Sequence, residues 1–270
     1  MSAQPEKAAR FLALHRGDQP LLMPNPWDAG SAKLLASLGF EALATTSSGF
    51  AGTLGRLDGA VTRDEALAHA ASLAATVDVP VSADLENGYA DAPDEVARTV
   101  ALAIDAGLAG CSIEDYTRRN DSVYDAGLAA ERVAAAAEAA HGDGRRLVLT
   151  ARAENFIRGR PDLADTIARL QAYQEAGADV LYAPGINNLD QIRQIVAAVD
   201  RPVNVLALAT APPVADLAAA GVRRISVGGA FAYTALGAVV AAANELRDQG
   251  TYGFWATAGP GASAARAAWS

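Results

Sequence analysis

Short apolar runs alternate with longer amphipathic stretches along the whole chain. Runs rich in β-branched residues and leucine over 21–25, 42–47, 80–86, 110–115, 147–154, 180–184, 203–208 and 224–228 predict strands. Each is followed by a stretch with helical spacing, at 31–37, 63–76, 93–105, 129–140, 163–176, 189–199, 214–219 and 231–247. Eight strand–helix units in strict alternation predict an α/β fold, a closed parallel (β/α)8 TIM barrel, rather than an open sheet. Glycines 39, 107, 177 and 221 fall just past four of the helices, where a left-handed C-cap is wanted. Residues 1–255 thus read as a single barrel domain opened by a short N-terminal helix. Residues 256–270, rich in Gly, Ala and Ser, read as a flexible or subunit-contacting tail.

Composition narrows the possibilities. The length of 270 residues suits one such barrel, which takes about 250. A net charge of -9 argues against nucleic acid and against an anionic membrane surface, since both need clustered Lys and Arg. It also means that an anionic substrate must be held by particular arginines or by a metal. One cysteine, Cys111, excludes an internal disulfide and a Cys-rich zinc site. With no apolar core in the first ten residues and no run of about 20 apolar residues, the expectation is a soluble cytoplasmic protein.

In barrels of this kind the chemistry sits where the strands end. The second strand runs into Thr45-Thr46-Ser47-Ser48-Gly49-Phe50, followed by a loop with Asp58; the third ends Asp84-Leu85-Glu86-Asn87; the fourth ends Glu114-Asp115; the fifth carries Arg152-Ala153-Glu154. Side chains two apart on a strand share a face, so Asp84 should point with Glu86, and Arg152 with Glu154. Ionised carboxylates gathered in a barrel need a counter-charge, and an all-oxygen set suits Mg²⁺ or Mn²⁺. Asp84, Glu86, Asp58 and Glu114 are the candidate ligands. Arg152 is read as a clamp for a substrate carboxylate or phosphonate, the alternative being an ion pair with Glu154 or Glu114. The hydroxyls and N–H groups of 45–49 suit an oxyanion. His15, His69 and His141 fall on or at the ends of helices, away from the strand ends. Cys111 has opposite parity to Glu114, which predicts a buried thiol facing the helices. The polar connection 116–127 is the candidate lid, with Arg118, Arg119 and Asn120 in reach of the site.

These residues resemble the isocitrate lyase/phosphoenolpyruvate mutase superfamily over nearly the whole length. The marks are Asn25-Pro26-Trp27-Asp28, Thr46-Ser47-Ser48-Gly49-Phe50, Asp58, Ala83-Asp84-Leu85-Glu86-Asn87-Gly88-Tyr89, Ile113-Glu114-Asp115, Ala151-Arg152 and Ser226-Val227-Gly228-Gly229. The resemblance implies Mg²⁺ held chiefly by Asp84, with Asp58, Glu86 and Glu114 as further ligands. It implies substrate oxygens on Ser47, Ser48, Gly49 and Arg152, with Trp27 and Asn120 as further contacts. Ser47, Asp58, Glu114 and Arg152 carry the catalytic assignment. It also implies a C-terminal helix swapped with a neighbour in a homodimer or homotetramer.

The chain departs from isocitrate and methylisocitrate lyases in one loop. Those enzymes carry Lys-Cys-Gly-His after the fourth strand, whereas Tyr116-Thr117-Arg118-Arg119-Asn120 stands here. Glu86 also replaces the Asp common two places after the principal ligand. The expected activity is Mg²⁺-dependent lysis of a C–C bond beside a small 2-oxo or 2-hydroxy acid through a pyruvate-like enolate, oxaloacetate-type decarboxylation included. The alternatives are a P–C bond mutase or hydrolase and, from another class, a barrel that binds a small acid without turnover.

Overall fold

Helix α1 (Gln4–Leu14) closes the bottom of a barrel of parallel strands in the computed structural model, which describes residues 3–142 and 144–270. Phe11 on this helix is fully buried against Leu21, Ala109, Val148 and Val180, residues at or next to the strand starts. The barrel strands are β1 (Leu21–Met23), β2 (Leu43–Ala44), β3 (Val81–Asp84), β4 (Gly110–Glu114), β7 (Val148–Arg152), β8 (Val180–Tyr182), β9 (Val203–Leu206) and β10 (Arg224–Ser226). A two-stranded antiparallel ribbon, β5 (Tyr116–Thr117) with β6 (Ser122–Val123), follows β4. All barrel neighbours pair in parallel in the order β1-β10-β9-β8-β7-β4-β3-β2. The Ala44 N–H donates to the Pro24 carbonyl at 3.1 Å and nearly closes the ring.

The remaining helices are α2 (Ala29–Ser37), α3 (Ser47–Thr53), α4 (Arg63–Thr76), α5 (Pro93–Asp105), α6 (Ala126–His141), α7 (Leu163–Glu175), α8 (Leu189–Ala198), α9 (Val214–Ala219), α10 (Ala230–Gln249) and α11 (Trp255–Trp269). Alternation sorts the strand residues. Ala83, Cys111, Ile113, Leu149 and Ala151 join the core shared with the helices. Ser112, Thr150, Asn204, Arg224 and Ser226 are buried polar residues of opposite parity, the last four linked by hydrogen bonds across the lumen. Cys111 is therefore buried as expected, and burial pushes its thiol far above the ordinary range.

All eight predicted strands form, but each stops sooner than the apolar pattern suggested. The third ends at Asp84, and Glu86 beyond it takes a left-handed φ of 48° in a turn closed by Gly88 N–H on the Leu85 carbonyl. The second shrinks to two residues because Thr46 caps a short helix, α3, that the sequence pattern missed. The Gly/Ala/Ser-rich end, read as a flexible or subunit-contacting tail, is helical. It folds as α11, whose Trp269 indole N–H donates to the Gly30 carbonyl on α2 at 3.2 Å.

His15 lies just past α1, buried, with Nδ1 2.8 Å from the Phe11 carbonyl and Nε2 without a partner among the described residues. Burial first, then the nearby Arg224 charge, push its pKa from 6.5 down to about 3. The folded state thus disfavours the protonated ring. Its contribution is complete above the ordinary 6.5 and drains away as pH falls toward 3. Replacing His15 with Phe should flatten this acid limb in urea titrations between neutral pH and pH about 4. An unchanged slope would show that another group sets it.

Candidate active site

A cavity of about 250 Å³ opens at the C-terminal ends of the strands, with Ser47, Ser48, Asp84, Arg152, Arg158 and Arg224 in its wall. Asp84, the last residue of β3, stands at its centre. The Ser47 hydroxyl donates to Asp84 Oδ2 at 3.1 Å, and Arg152 Nη1 donates to Oδ1 at 3.1 Å. The Asp84 backbone N–H is held by Thr45 Oγ1 at 2.9 Å. These contacts fix the carboxylate from the exit of β2 on one side and, across β4, from the end of β7 on the other.

Arg152 ends β7, in register with Glu114 on β4. Its Nη2 lies 3.1 Å from Glu114 and 2.8 Å from Glu154, and its Nε donates to Glu154 at 3.0 Å. Burial opposes the charge of Arg152, but Glu154, Glu114 and Asp84 outweigh it and hold the guanidinium firmly protonated. Glu114 moves the other way: burial, then the Glu154 charge, raise it well above the usual carboxylate range.

The second pair of predicted ligands sits beside this group. Arg118, at the tip of the β5–β6 ribbon, reaches Asp58 with Nη2 at 2.7 Å and Glu86 with Nε at 3.1 Å. Gly59 makes room for it: a Cβ there, on a backbone with φ +81°, would lie 2.2 Å from Arg118 Nε. Burial and the Asp84 charge raise the pKa of Glu86. Its Oε1 is buried with no partner among the described residues.

The four carboxylates named from sequence are thus held as two pairs, each joined by an arginine. Asp84 and Glu114 share Arg152, while Asp58 and Glu86 share Arg118. Among the described residues no three His, Cys, Asp or Glu side chains close up as a ready metal cage. Other predicted contacts lie off the cavity wall. Trp27 turns its carbonyl to His69 at 3.0 Å, and Asn120 is exposed on the ribbon. The Gly49 N–H donates to Thr46 Oγ1 at 3.3 Å, so it serves the cap of α3, and a Cβ on Gly49 would press on Thr46 at 2.5 Å. Ser47 and Ser48 remain in the wall. None of the three histidines is there.

Three residues escaped the sequence reading. Arg158, Tyr182 and Arg224 all line the cavity. The last two could have been found from parity, since Arg224 shares a face with Ser226 and Tyr182 is the last residue of its strand. Arg158 follows Glu154 by four positions in a loop, and no strand or helix period marks it.

Fold and site together define a parallel (β/α)8 barrel with interlocked carboxylates and arginines at its catalytic end. The chain belongs to the phosphoenolpyruvate mutase/isocitrate lyase superfamily: the family profile described as phosphoenolpyruvate phosphomutase matches residues 11–247. A solved Burkholderia cenocepacia J2315 protein, provisionally described as a lyase/mutase, is 51% identical, with a TM-score of 0.93 over 97% of this chain and 95% of that one. Oxaloacetate acetylhydrolase, solved with its product oxalate, is 27% identical, with a TM-score of 0.84 over 94% of this chain and 90% of that one. The 2-methylisocitrate lyase of Escherichia coli K12 is 31% identical over 202 residues, 72% of this chain and 67% of the lyase. The family thus holds both lyases and mutases. Among the described residues no helix is long and apolar enough to cross a membrane.

Proposed function

We propose that this protein is a Mg²⁺-dependent lyase, with Mn²⁺ as an alternative ion, that breaks or forms a C–C bond beside the functional carbon of a small 2-oxo or 2-hydroxy acid. Decarboxylation of the oxaloacetate type falls within this reading. The observation that carries it is the charge at the barrel mouth. Five carboxylates (Asp58, Asp84, Glu86, Glu114, Glu154) interlock with three arginines (Arg118, Arg152, Arg158). These five carboxylates outnumber the three arginines that pair with them, and a divalent cation would supply positive charge where burial otherwise raises the pKa of Glu114 and Glu86. The partnerless buried Oε1 of Glu86 fits the same ion, and the donors are all hard oxygens. Asp84 would be the principal ligand, with Asp58, Glu86 and Glu114 around it.

Such an ion supplies Lewis acidity that favours enolate character in a bound 2-oxo acid. The chain's own groups do the rest. Ser47 and Ser48, in the cavity wall with Arg152, offer hydroxyls to substrate oxygens. The buried Arg224, hydrogen-bonded to Asn204 and Thr150 at 2.9 Å each, adds positive potential at the floor. Arg118 ties the β5–β6 ribbon to Asp58 in the cavity wall and to Glu86 beside it.

Purified protein with Mg²⁺ should cleave or decarboxylate a member of a panel of oxaloacetate, substituted malates and 2-methylisocitrate, read by appearance of the 2-oxo acid product or CO₂. Phosphate release or phosphoenolpyruvate formation from phosphonopyruvate, with no C–C cleavage, would instead favour the mutase or hydrolase reading.

Arg118 also makes the metal testable by itself. It occupies two of the proposed ligands, so Arg118→Gln should tighten Mg²⁺ binding about three- to tenfold in calorimetric titration, the equivalent of roughly 1 kcal/mol. Unchanged affinity would remove Asp58 and Glu86 from the ligand set.

The molecule works as a homodimer or homotetramer in this reading. Only Ala232 of α10 is buried, while Phe231, Tyr233, Leu236, Val239 and Val240 are exposed on it. Leu22, on the outward face of β1, is exposed as well. A second copy exchanging its C-terminal helices would cover both surfaces.

A further inference from the structure

Two arginines stand side by side in the cavity wall, bridged by the same two carboxylates. Glu154 meets Arg152 with Oε1 at 2.8 Å and Arg158 with Oε2 at 3.3 Å. Glu114 meets Arg152 with Oε2 at 3.1 Å and Arg158 with Oε1 at 3.7 Å. Their situations nevertheless differ. Arg152 has Nε and Nη1 in hydrogen bonds and Nη2 against two carboxylates, with a side chain only 14% exposed. Arg158 makes no side-chain hydrogen bond among the described residues, and its two carboxylate contacts are ion pairs without hydrogen-bond geometry. Its side chain is 29% exposed.

The setting of Arg158 is built rather than floppy. Its guanidinium carbon lies 3.6 Å from the centre of the Tyr116 ring, so the aromatic face supports the cation from one side. The loop that carries it is tied by Arg158 N–H on the Glu154 carbonyl at 3.0 Å and Arg160 N–H on the Asn155 carbonyl at 2.8 Å. Asn155 is in turn fixed by its side-chain donation to Thr166 Oγ1 at 2.6 Å. A planar fork of five donors, preset on an aromatic platform in a cavity wall and held by its two carboxylates as ion pairs without hydrogen bonds, suits a substrate carboxylate. In the reading above, Ser47, Arg152 and an ion on Asp84 would serve one end of an acid substrate.

We propose that Arg158 is the residue that binds the second acidic group of the substrate and so sets selectivity against acids that lack one. This rests on the acid-substrate reading above and narrows it. Arg158 is a specificity residue: it engages the end of the molecule remote from the reacting carbon, and Tyr116 holds it there.

Calorimetric titration of the Mg²⁺-loaded protein with malate and with lactate, which lacks the second carboxylate, tests the assignment. The native protein should prefer malate. Arg158→Gln should weaken malate about ten- to hundredfold and lactate less than about threefold, erasing the preference. Arg158→Lys should recover part of it, since charge is kept and the fork is lost. Tyr116→Leu, which leaves every charge in place, should weaken malate several-fold and serves if the Arg158 variants fold poorly. A malate preference that survives Arg158→Gln, or an equal loss for both ligands, overturns the assignment while leaving the acid-substrate reading standing. Binding of neither acid by the native protein overturns that reading, and this assignment with it.

Discussion

Asp84→Ala should abolish Mg²⁺-dependent turnover, by about a thousandfold or more, while the barrel stays folded. The two halves of this expectation have different origins. Asp84 is the one carboxylate held by both the Ser47 hydroxyl and Arg152 in the cavity wall, so it is the natural centre of any cation or substrate contact. Its removal takes away a negative charge from a cluster that already has too many. Arg152 keeps Glu114 and Glu154, so no buried arginine is stranded. The stability loss should stay within about 1–2 kcal/mol. Kinetics with and without Mg²⁺, paired with a melting curve, separate these outcomes. Near-native turnover in the variant would remove Asp84 from the centre of the site.

The largest stability effect belongs to the next acid along β4 and its exit. Asp115 is buried and turned away from the mouth. It accepts from the Tyr173 hydroxyl at 2.5 Å, from Arg169 Nη1 at 3.1 Å and from the Glu154 backbone N–H at 2.8 Å. Asp115→Ala would leave a buried guanidinium, a phenol and an amide short of a partner at once. Breaking a buried ion pair from one side costs about 3–5 kcal/mol, which in a chain of this size lowers the melting midpoint on the order of 10 °C. Differential scanning calorimetry measures it, with Asp162→Ala, an N-cap change at α7, as a milder comparison near 1 kcal/mol. A drop for Asp115→Ala no larger than that comparison would mean the network relaxes around the gap.

Glu114 and Asp115 illustrate what the sequence discloses. Adjacent acids at a strand end look alike in one dimension, yet alternation sends one to the mouth and the other into the helical layer. Parity placed Cys111 in the core for the same reason, and the apolar runs located all eight strands. The same argument lost its basis at Glu86, because the strand ends at Asp84 and a left-handed residue redirects the chain. Helix α3 went unseen because Ser-Ser-Gly-Phe is a weak helical sequence held by a threonine cap and by packing. Helix α11 looked like a tail because its small residues and internal Pro260 resemble a linker. The Arg118 bridge was hidden for another reason: Arg118 and Asp58 are 60 positions apart, and nothing local ties them. Sequence could name the acids and set Arg152 beside Glu114 and Glu154, but only the folded chain shows Arg118 meeting Asp58 and Glu86.

Gly59 carries that point to other chains of the same fold. The space its missing side chain leaves is filled by Arg118, and any Cβ there would overlap the guanidinium. A glycine at position 59 and an arginine at position 118 are therefore one unit divided between two distant loops. Where a relative carries a larger residue at the first position, the second should be shorter or turned elsewhere. Aligned relatives should then inherit the two positions together, as a correlated pair joining the acid loop to the ribbon that covers it.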